Sequence, residues 1–260
     1  MPRQALLLNF RRLAADLLAA LGLFTRLPLG WLARWAGDVS LRRSIWLWPW
    51  VGVAIGGTTA LLTELGFSLH FPPFIAALCG VMAQLLLTGA LHEDGLADMA
   101  DGLGGGSTIE KRLEIMRDSR IGTYGALVLI TCIALRVACI AALIPYRLAL
   151  LLALPGMLSR VSLLGLLAST PAARKDGLAA ALLPLPKFPL WLAGVITLLT
   201  GVLFIPLYLL AASIAAVMLV VFAMRRLVLS KLGGFTGDTL GATAILSELA
   251  VLLLLVASYR

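Results

Sequence analysis

The chain is poor in charge. Only 13% of its 260 residues are Asp, Glu, Lys or Arg, about half the share of a typical soluble domain. With a hydrophobic fraction of 61% and a mean hydropathy of +1.01, that shortage excludes an ordinary soluble enzyme. Cysteine is scarce as well. Cys79, Cys132 and Cys139 lie inside apolar runs, and their spacing matches neither a zinc site nor a disulfide framework. They read as small packing residues. Period-two alternation is missing, which argues against a transmembrane barrel. A small-residue cleavage site is missing from the N-terminal region, which argues against a cleaved signal peptide. The formal charge of +8 does not point to nucleic acid, because a membrane protein that keeps Lys and Arg on one side acquires the same excess.

What the chain does have is long uncharged runs, several of them reaching the roughly twenty residues that cross a bilayer as helix. They predict spans near 44–67, 72–91, 125–145, 148–168 and 240–257. Residues 188–224 hold no charge over 37 positions, too many for one span, and Pro206 divides them into a helical hairpin. Trp46, Trp48 and Trp50 at the start of the first span suit an interfacial belt. Residues 5–24 set Arg11, Arg12 and Asp16 among Phe10, Leu13, Leu17 and Leu21, as in an amphipathic surface helix. A second short surface helix is expected over 109–121. The expected fold is all-α: a polytopic helical membrane protein with about seven transmembrane helices plus an N-terminal amphipathic helix. It forms a single membrane-embedded domain over 1–260, with 1–43 as an interfacial segment.

Basic residues orient it. With the N-terminus inside, segments 3–43, 92–124, 169–187 and 225–239 face the cytoplasm and carry seventeen of the twenty-one Lys and Arg. Arg147 and Arg260 fall on the other side, and Arg136 and Arg160 fall within spans. This places segment 92–124 at the cytoplasmic face.

That segment is the most informative. The chain has thirteen acids, and four of them, Glu93, Asp94, Asp98 and Asp101, follow His92 directly after an apolar span. Carboxylates at the end of a span are expensive beside lipid and commonly hold a cation or charged ligand. Asp94, Asp98 and Asp101 recur at i, i+4, i+7, within roughly 60° on a helix. Hard oxygen ligands without cysteine suit Mg²⁺ or Mn²⁺. Gly95 and Gly102 would let a bulky ligand approach the backbone. Glu93 points about 100° off the stripe and is a weaker ligand. His92 reads equally as a general base, a substrate contact or an interfacial side chain.

Further along, Arg117 and Arg120 suit phosphate oxygens, or local ion pairs on a surface helix. Arg136 and Arg160 are deep enough to require partners in the bundle interior. Arg160 suits an anionic substrate, with a structural ion pair as the alternative. Residues 233–242 open the last span with glycines, Thr236 and Asp238, which suit close ligand contact, or a plain turn. Glu248, the remaining intramembrane acid, suits pairing with a buried Arg.

These residues resemble the cobalamin synthase family, the adenosylcobinamide-GDP ribazoletransferases. The matching stretches are Thr88-Gly89-Ala90-Leu91-His92-Glu93-Asp94-Gly95-Leu96-Ala97-Asp98 with Asp101-Gly102, then Arg112-Leu113-Glu114-Ile115-Met116-Arg117-Asp118-Ser119-Arg120-Ile121-Gly122-Thr123, and Gly233-Gly234-Phe235-Thr236-Gly237-Asp238-Thr239-Leu240-Gly241-Ala242. Phe24-Thr25-Arg26-Leu27-Pro28 is also family-like. The family more commonly has glycine at the position of Ala90, a difference expected to touch only fine packing. Segment 169–187 carries no family motif.

The resemblance implies an Mg²⁺-dependent phosphotransferase at the bacterial cytoplasmic (inner) membrane. It would join adenosylcobinamide-GDP to α-ribazole, or its 5′-phosphate, giving adenosylcobalamin, or its phosphate, and GMP. Expected catalytic residues are Asp94, Asp98 and His92, with Asp94, Asp98 and Asp101 on the metal. Expected substrate contacts are Arg117, Asp118, Arg120, Arg160, Thr236 and Asp238. Two alternatives are a CDP-alcohol phosphotransferase, whose Asp-Gly-x₂-Ala-Arg element would put Ala and Arg where Asp98 and Met99 stand, and a cation-coupled transporter, which would place its acids nearer the midplane.

Overall fold

The computed structural model describes residues 2–146, 149–174 and 177–259. Arg147, Lys175, Asp176 and Arg260 lie outside the described residues. The α-helices are α1 (Pro2–Phe24), α2 (Gly30–Ala33), α3 (Leu41–Ser44), α4 (Trp48–Ser68), α5 (Pro73–Thr88), α6 (Leu91–Gly105) and α7 (Ile109–Ile115). After these come α8 (Thr123–Leu143), α9 (Ala153–Ser169), α10 (Leu178–Ala181), α11 (Lys187–Phe204), α12 (Leu207–Leu232) and α13 (Gly237–Ser258). No strand longer than one bridge occurs among the described residues. Prolines start several helices: Pro49 and Pro73 lie in the first turns of α4 and α5, and Pro206 caps α12. Their fixed φ suits a first turn, and their missing N–H costs nothing there.

Each of the seven expected apolar segments contains a helix: α4, α5, α8, α9, α11, α12 and α13. Among the described residues, four stretches are long and apolar enough to cross a membrane: Leu41–Ser68, α8, α12 and α13. The bent pair α5–α6 makes a fifth if counted as one span. Helices α9 (17 residues) and α11 (18 residues) are shorter, about 26 Å against a hydrocarbon layer of about 30 Å. The last span is the central one. In its most apolar window α13 is 67% buried, against 28% for α12, so α13 is the axis and α12 shows its surface to lipid. Small buried residues, Gly241, Ala242, Thr243, Ala244 and Ser247, let neighbours close on that axis. Helices α4 and α9 cross as tightly: a β-carbon on Gly52 would fall 2.3 Å from the Gly156 carbonyl oxygen.

Three local expectations change. The 188–224 run does break at Pro206, but α11 and α12 do not pack as a hairpin. Instead, α11 lies on residues 45–47 and α9, and α12 lies on α13 and α9. The three tryptophans do not form a belt. Trp48 is 1% exposed, Trp46 donates its indole N–H to Asp16 (3.1 Å), and only Trp50 faces outward. The short surface helix α7 ends at Ile115, well before residue 121. Helix α1 docks through Ala14, Ala15, Ala19 and Ala20 and leaves Leu8, Phe10 and Leu13 exposed, with Asp16 bonded to Arg43 Nε at 2.5 Å.

The four basic segments meet at one end of the bundle. Arg42 donates to the Pro184 carbonyl, Arg112 to that of Lys231 (3.2 Å), Arg174 to that of Leu113 (2.5 Å) and Arg225 to that of Ser169 (2.9 Å). Residues 171–173 pair with Phe235, its N–H donating to Pro171 (2.9 Å) and its carbonyl accepting from Ala173 (2.9 Å).

At that end α5 turns into α6 through 88°. Gly89 (φ +63°) and Ala90 (φ +54°) make the turn, both left-handed. Gly89 suits it, but Ala90 does not: an alanine there costs about 1–2 kcal/mol. The alanine at this position is therefore a backbone matter and not one of fine packing. Ala90→Gly is expected to raise the melting temperature in detergent, the strain relieved exceeding the entropy glycine adds to the unfolded chain, a net gain of up to about 1 kcal/mol. A lower melting temperature would show that the turn is not strained.

Candidate active site

The 88° turn lays α6 across the end of the bundle, where its N-terminal half crosses the start of α13. Two contacts fix that crossing. A β-carbon at Gly95 would stand 2.8 Å from the Cα and carbonyl oxygen of Asp238, and one at Gly241 would stand 3.1 Å from His92 Cα. Gly95 therefore admits protein backbone and not a ligand, and Gly102 likewise makes room for Met116. The consequence is chemical. Asp238, more than 130 residues away in sequence, comes to rest against the residue next to Asp94.

Asp94, Asp98 and Asp238 thus form one acidic face. Asp94 is exposed; Asp98 and Asp238 are half-buried. Burial, then the charges of Asp94, Asp238 and Asp101, push the Asp98 carboxyl from 3.8 up to about 6. Such mutual repulsion marks a place where a cation lowers the energy. Among the described residues no three His, Cys, Asp or Glu side chains close into a ready metal cage. An open carboxylate face is nevertheless the donor set Mg²⁺ accepts, since it keeps waters and takes substrate phosphates as its remaining ligands.

Asp101 has another duty. Its Oδ2 accepts from the Gly122 N–H (2.7 Å) and its Oδ1 from the Gly125 N–H (2.8 Å). Both oxygens serve the N-terminus of α8, where free N–H groups and the helix dipole favour an anion. Asp101 is better described as the clamp between α6 and α8 than as a third metal ligand. Thr236 is structural too. Its hydroxyl accepts from the Thr239 N–H (3.3 Å), caps α13 and donates to Asp238 Oδ2 (3.1 Å). It orients Asp238 as well as starting the helix.

His92 is buried, with its ring edge-on to Phe24 at 5.8 Å. Burial, then the charges of Arg160 and Arg136, hold its pKa well below 6.5, so it is neutral at neutral pH. Arg117, Asp118 and Arg120 sit on the exposed turn beyond α7. Arg120 grips Asp118, with Nη2 2.8 Å from Oδ2. That turn adjoins the Asp101 end of α6, about 10 Å along the helix from Asp94.

Arg160 is drawn into the bundle. It is 1% exposed, its guanidinium lies over the Phe24 ring at 5.7 Å, and its Nη1 is 4.0 Å from Glu248. Glu248 also stands 3.5 Å from Arg136 Nε and accepts from Gln84 Nε2 (3.0 Å). Arg136 in turn donates to Glu93 (2.9 Å). Two arginines and two glutamates thus form a balanced buried network, which accounts for Glu93 facing away from the Asp stripe. A buried pair so placed demands both partners.

Beside the acids is a cavity of about 250 Å³, lined by His92, Asp94 and Asp238 together with Phe24, Trp48 and several leucines. Leu178 and Ala179 of α10 line it too, and they also line a neighbouring cavity of about 200 Å³ that contains Arg174, Thr236 and Asp238.

A family model described as cobalamin-5-phosphate synthase matches residues 16–256. The chain belongs to the cobalamin-5-phosphate synthase family. It is 42% identical over 253 residues to the adenosylcobinamide-GDP ribazoletransferase of Azorhizobium caulinodans, covering 93% of this chain and 95% of that one. It is 39% identical to the protein so named in Bradyrhizobium diazoefficiens (94% of both chains) and 41% identical to the one in Rhizobium etli (92% and 95%). No solved structure matches it.

Against that family background, the parts of the site without a sequence signal stand out. Segment 169–187 carries no motif, yet it supplies Arg174 and α10 to the cavity walls. Trp48 reads as a belt residue, and Phe24 only as the first residue of a family-like stretch with no role attached. Their side chains instead meet edge-on at 5.0 Å beneath His92. Only long-range packing brings them there.

Proposed function

We propose that the protein is an adenosylcobinamide-GDP ribazoletransferase. It joins adenosylcobinamide-GDP to α-ribazole, or its 5′-phosphate, giving adenosylcobalamin, or its 5′-phosphate, and GMP. The site faces the cytoplasm from the bacterial inner membrane. The observation that carries the reading is the convergence of Asp94, Asp98 and Asp238 from two remote helices, with Asp94 and Asp238 lining one cavity.

In the proposed reaction a ribose hydroxyl of ribazole attacks the phosphorus bonded to cobinamide. The new O–P bond forms as the bond to the GMP oxygen breaks. His92, neutral and on the cavity wall, accepts the hydroxyl proton. Asp94, Asp98 and Asp238 would hold Mg²⁺, which neutralises the diphosphate and the charge developing on the departing GMP. Arg174, near Asp238 across the second cavity, and the basic turn at Arg117 and Arg120 supply positive charge for phosphate oxygens.

The test uses purified protein in nanodiscs with both substrates and Mg²⁺. GMP and cobalamin should form one for one, and excess EDTA should stop both. GMP without cobalamin, or a phospholipid product from a CDP-alcohol, would overturn the assignment.

A further inference from the structure

We propose that a groove between α11 and α12 is a phospholipid site: it holds one acyl chain, with an anionic headgroup on Arg225. The proposal is independent of the transferase reading and needs only that the bundle sits in a bilayer.

The groove exists because α11 and α12 part at Pro206 and dock separately on α9. All three helices line the space left between them, a cavity of about 460 Å³. Glycine widens it. A β-carbon on Gly194 would meet nothing within 4 Å. Three of the lining side chains, Leu198, Met218 and Phe222, are more than half exposed, so the groove opens to the outside of the bundle. In a bilayer that outside is hydrocarbon.

The lining suits an alkyl chain and little else. Its three hydroxyls are spent inside their own helices. Ser162 donates to the Ser159 carbonyl (2.6 Å), Ser169 to that of Gly165 (2.8 Å) and Thr197 to that of Ala193 (2.7 Å). A polar solute would lose hydrogen bonds to water there without replacing them; an acyl chain loses none. The length also fits. The lining runs over 158–169 on α9 and 214–225 on α12, about 16 Å in each case. That is half of a hydrocarbon layer of about 30 Å, the depth of one leaflet.

The groove ends where a phosphate would lie. Arg225 is its one charged lining residue, and none of the described lining residues is acidic. The Arg225 Nε donates to the Ser169 carbonyl at 2.9 Å, which leaves its other N–H groups open to phosphate oxygens. Arg226 adds a second cation, its guanidinium 5.9 Å from the centre of the Phe222 ring. This is the basic end of the bundle, so chain and headgroup belong to the leaflet on that side. Cations at that level favour an anionic headgroup over a zwitterionic one.

The experiment equilibrates detergent-purified protein with equal amounts of phosphatidylglycerol and phosphatidylcholine of the same acyl chains, and counts bound lipid by native mass spectrometry. The wild type should retain one phospholipid, with phosphatidylglycerol favoured at least about fivefold. Gly194→Phe places a ring in the groove at no cost in helix propensity, and should lower lipid occupancy at least about tenfold in a protein that still folds. Arg225→Gln keeps a donor for the Ser169 carbonyl and removes the charge. It should cut the phosphatidylglycerol preference about fivefold. Glycerol phosphate, a headgroup without chains, should not compete. A wild type without bound lipid overturns the proposal, as does full occupancy in a folded Gly194→Phe protein. Should Gly194→Phe not fold, Arg225→Gln decides: an unchanged preference overturns the headgroup assignment and with it the site. A lipid-free dimer would give the groove to a second copy of the chain, and displacement by glycerol phosphate would give it to a free phosphate.

Discussion

Asp94→Ala and Asp98→Ala are each expected to lower GMP formation at least about a hundredfold, with protein that still inserts and purifies. The acids are open or half-open at the bundle's end, and the contacts that lock α6 onto its neighbours run through Glu93, Gly95 and Asp101 instead. Removing one acid relieves mutual repulsion, so stability should hold or rise while turnover is lost. Activity above about a tenth of wild type in both variants would remove the cation-face reading. Asp101→Ala should differ in kind. It strips two N–H partners from α8, so part of its loss should appear as a lower melting temperature.

The largest stability effect is expected at Glu248. It stands between Arg136 and Arg160 with Gln84 donating to it. Glu248→Ala leaves two buried guanidinium groups facing only Glu93, a cost of about 3–5 kcal/mol. Little folded protein should accumulate. Adding Arg160→Met restores the charge balance and should recover a measurable share of it. A Glu248→Ala protein with unchanged melting temperature but a raised substrate KM would return Arg160 to the role of an anion contact.

Much of this arrangement is legible in the sequence because it follows local rules. Long uncharged runs mark the apolar helices, and the basic residues mark one end of the bundle. The i, i+4, i+7 acids lie on one helix, as their spacing implies. Other features depend on distances that no local pattern encodes. Asp101 is the same residue type, at the same period, as Asp94 and Asp98. What separates it is the N-terminus of α8, whose Gly122 and Gly125 N–H groups it accepts from. Glu93 faces inward because Arg136 waits there. The 88° turn needs two left-handed residues, and only Gly89 advertises one. Segment 169–187 is held by backbone pairing with residue 235 and by Arg174 and Arg42, contacts that almost any sequence of similar polarity could make.

Helices α6 and α13 should share one cation and one diphosphate, and the most direct measurement of that sharing is the metal preference of Asp94→Cys and Asp238→Cys. Each is made in a protein whose three native cysteines are replaced by alanine. Thiolate favours softer ions than Mg²⁺. Both variants should be nearly inactive with Mg²⁺ and regain at least about tenfold with Cd²⁺, while the cysteine-free parent gains nothing from it. Full Mg²⁺-supported activity in Asp238→Cys, or recovery with Cd²⁺ in Asp94→Cys alone, would contradict a site built by both helices.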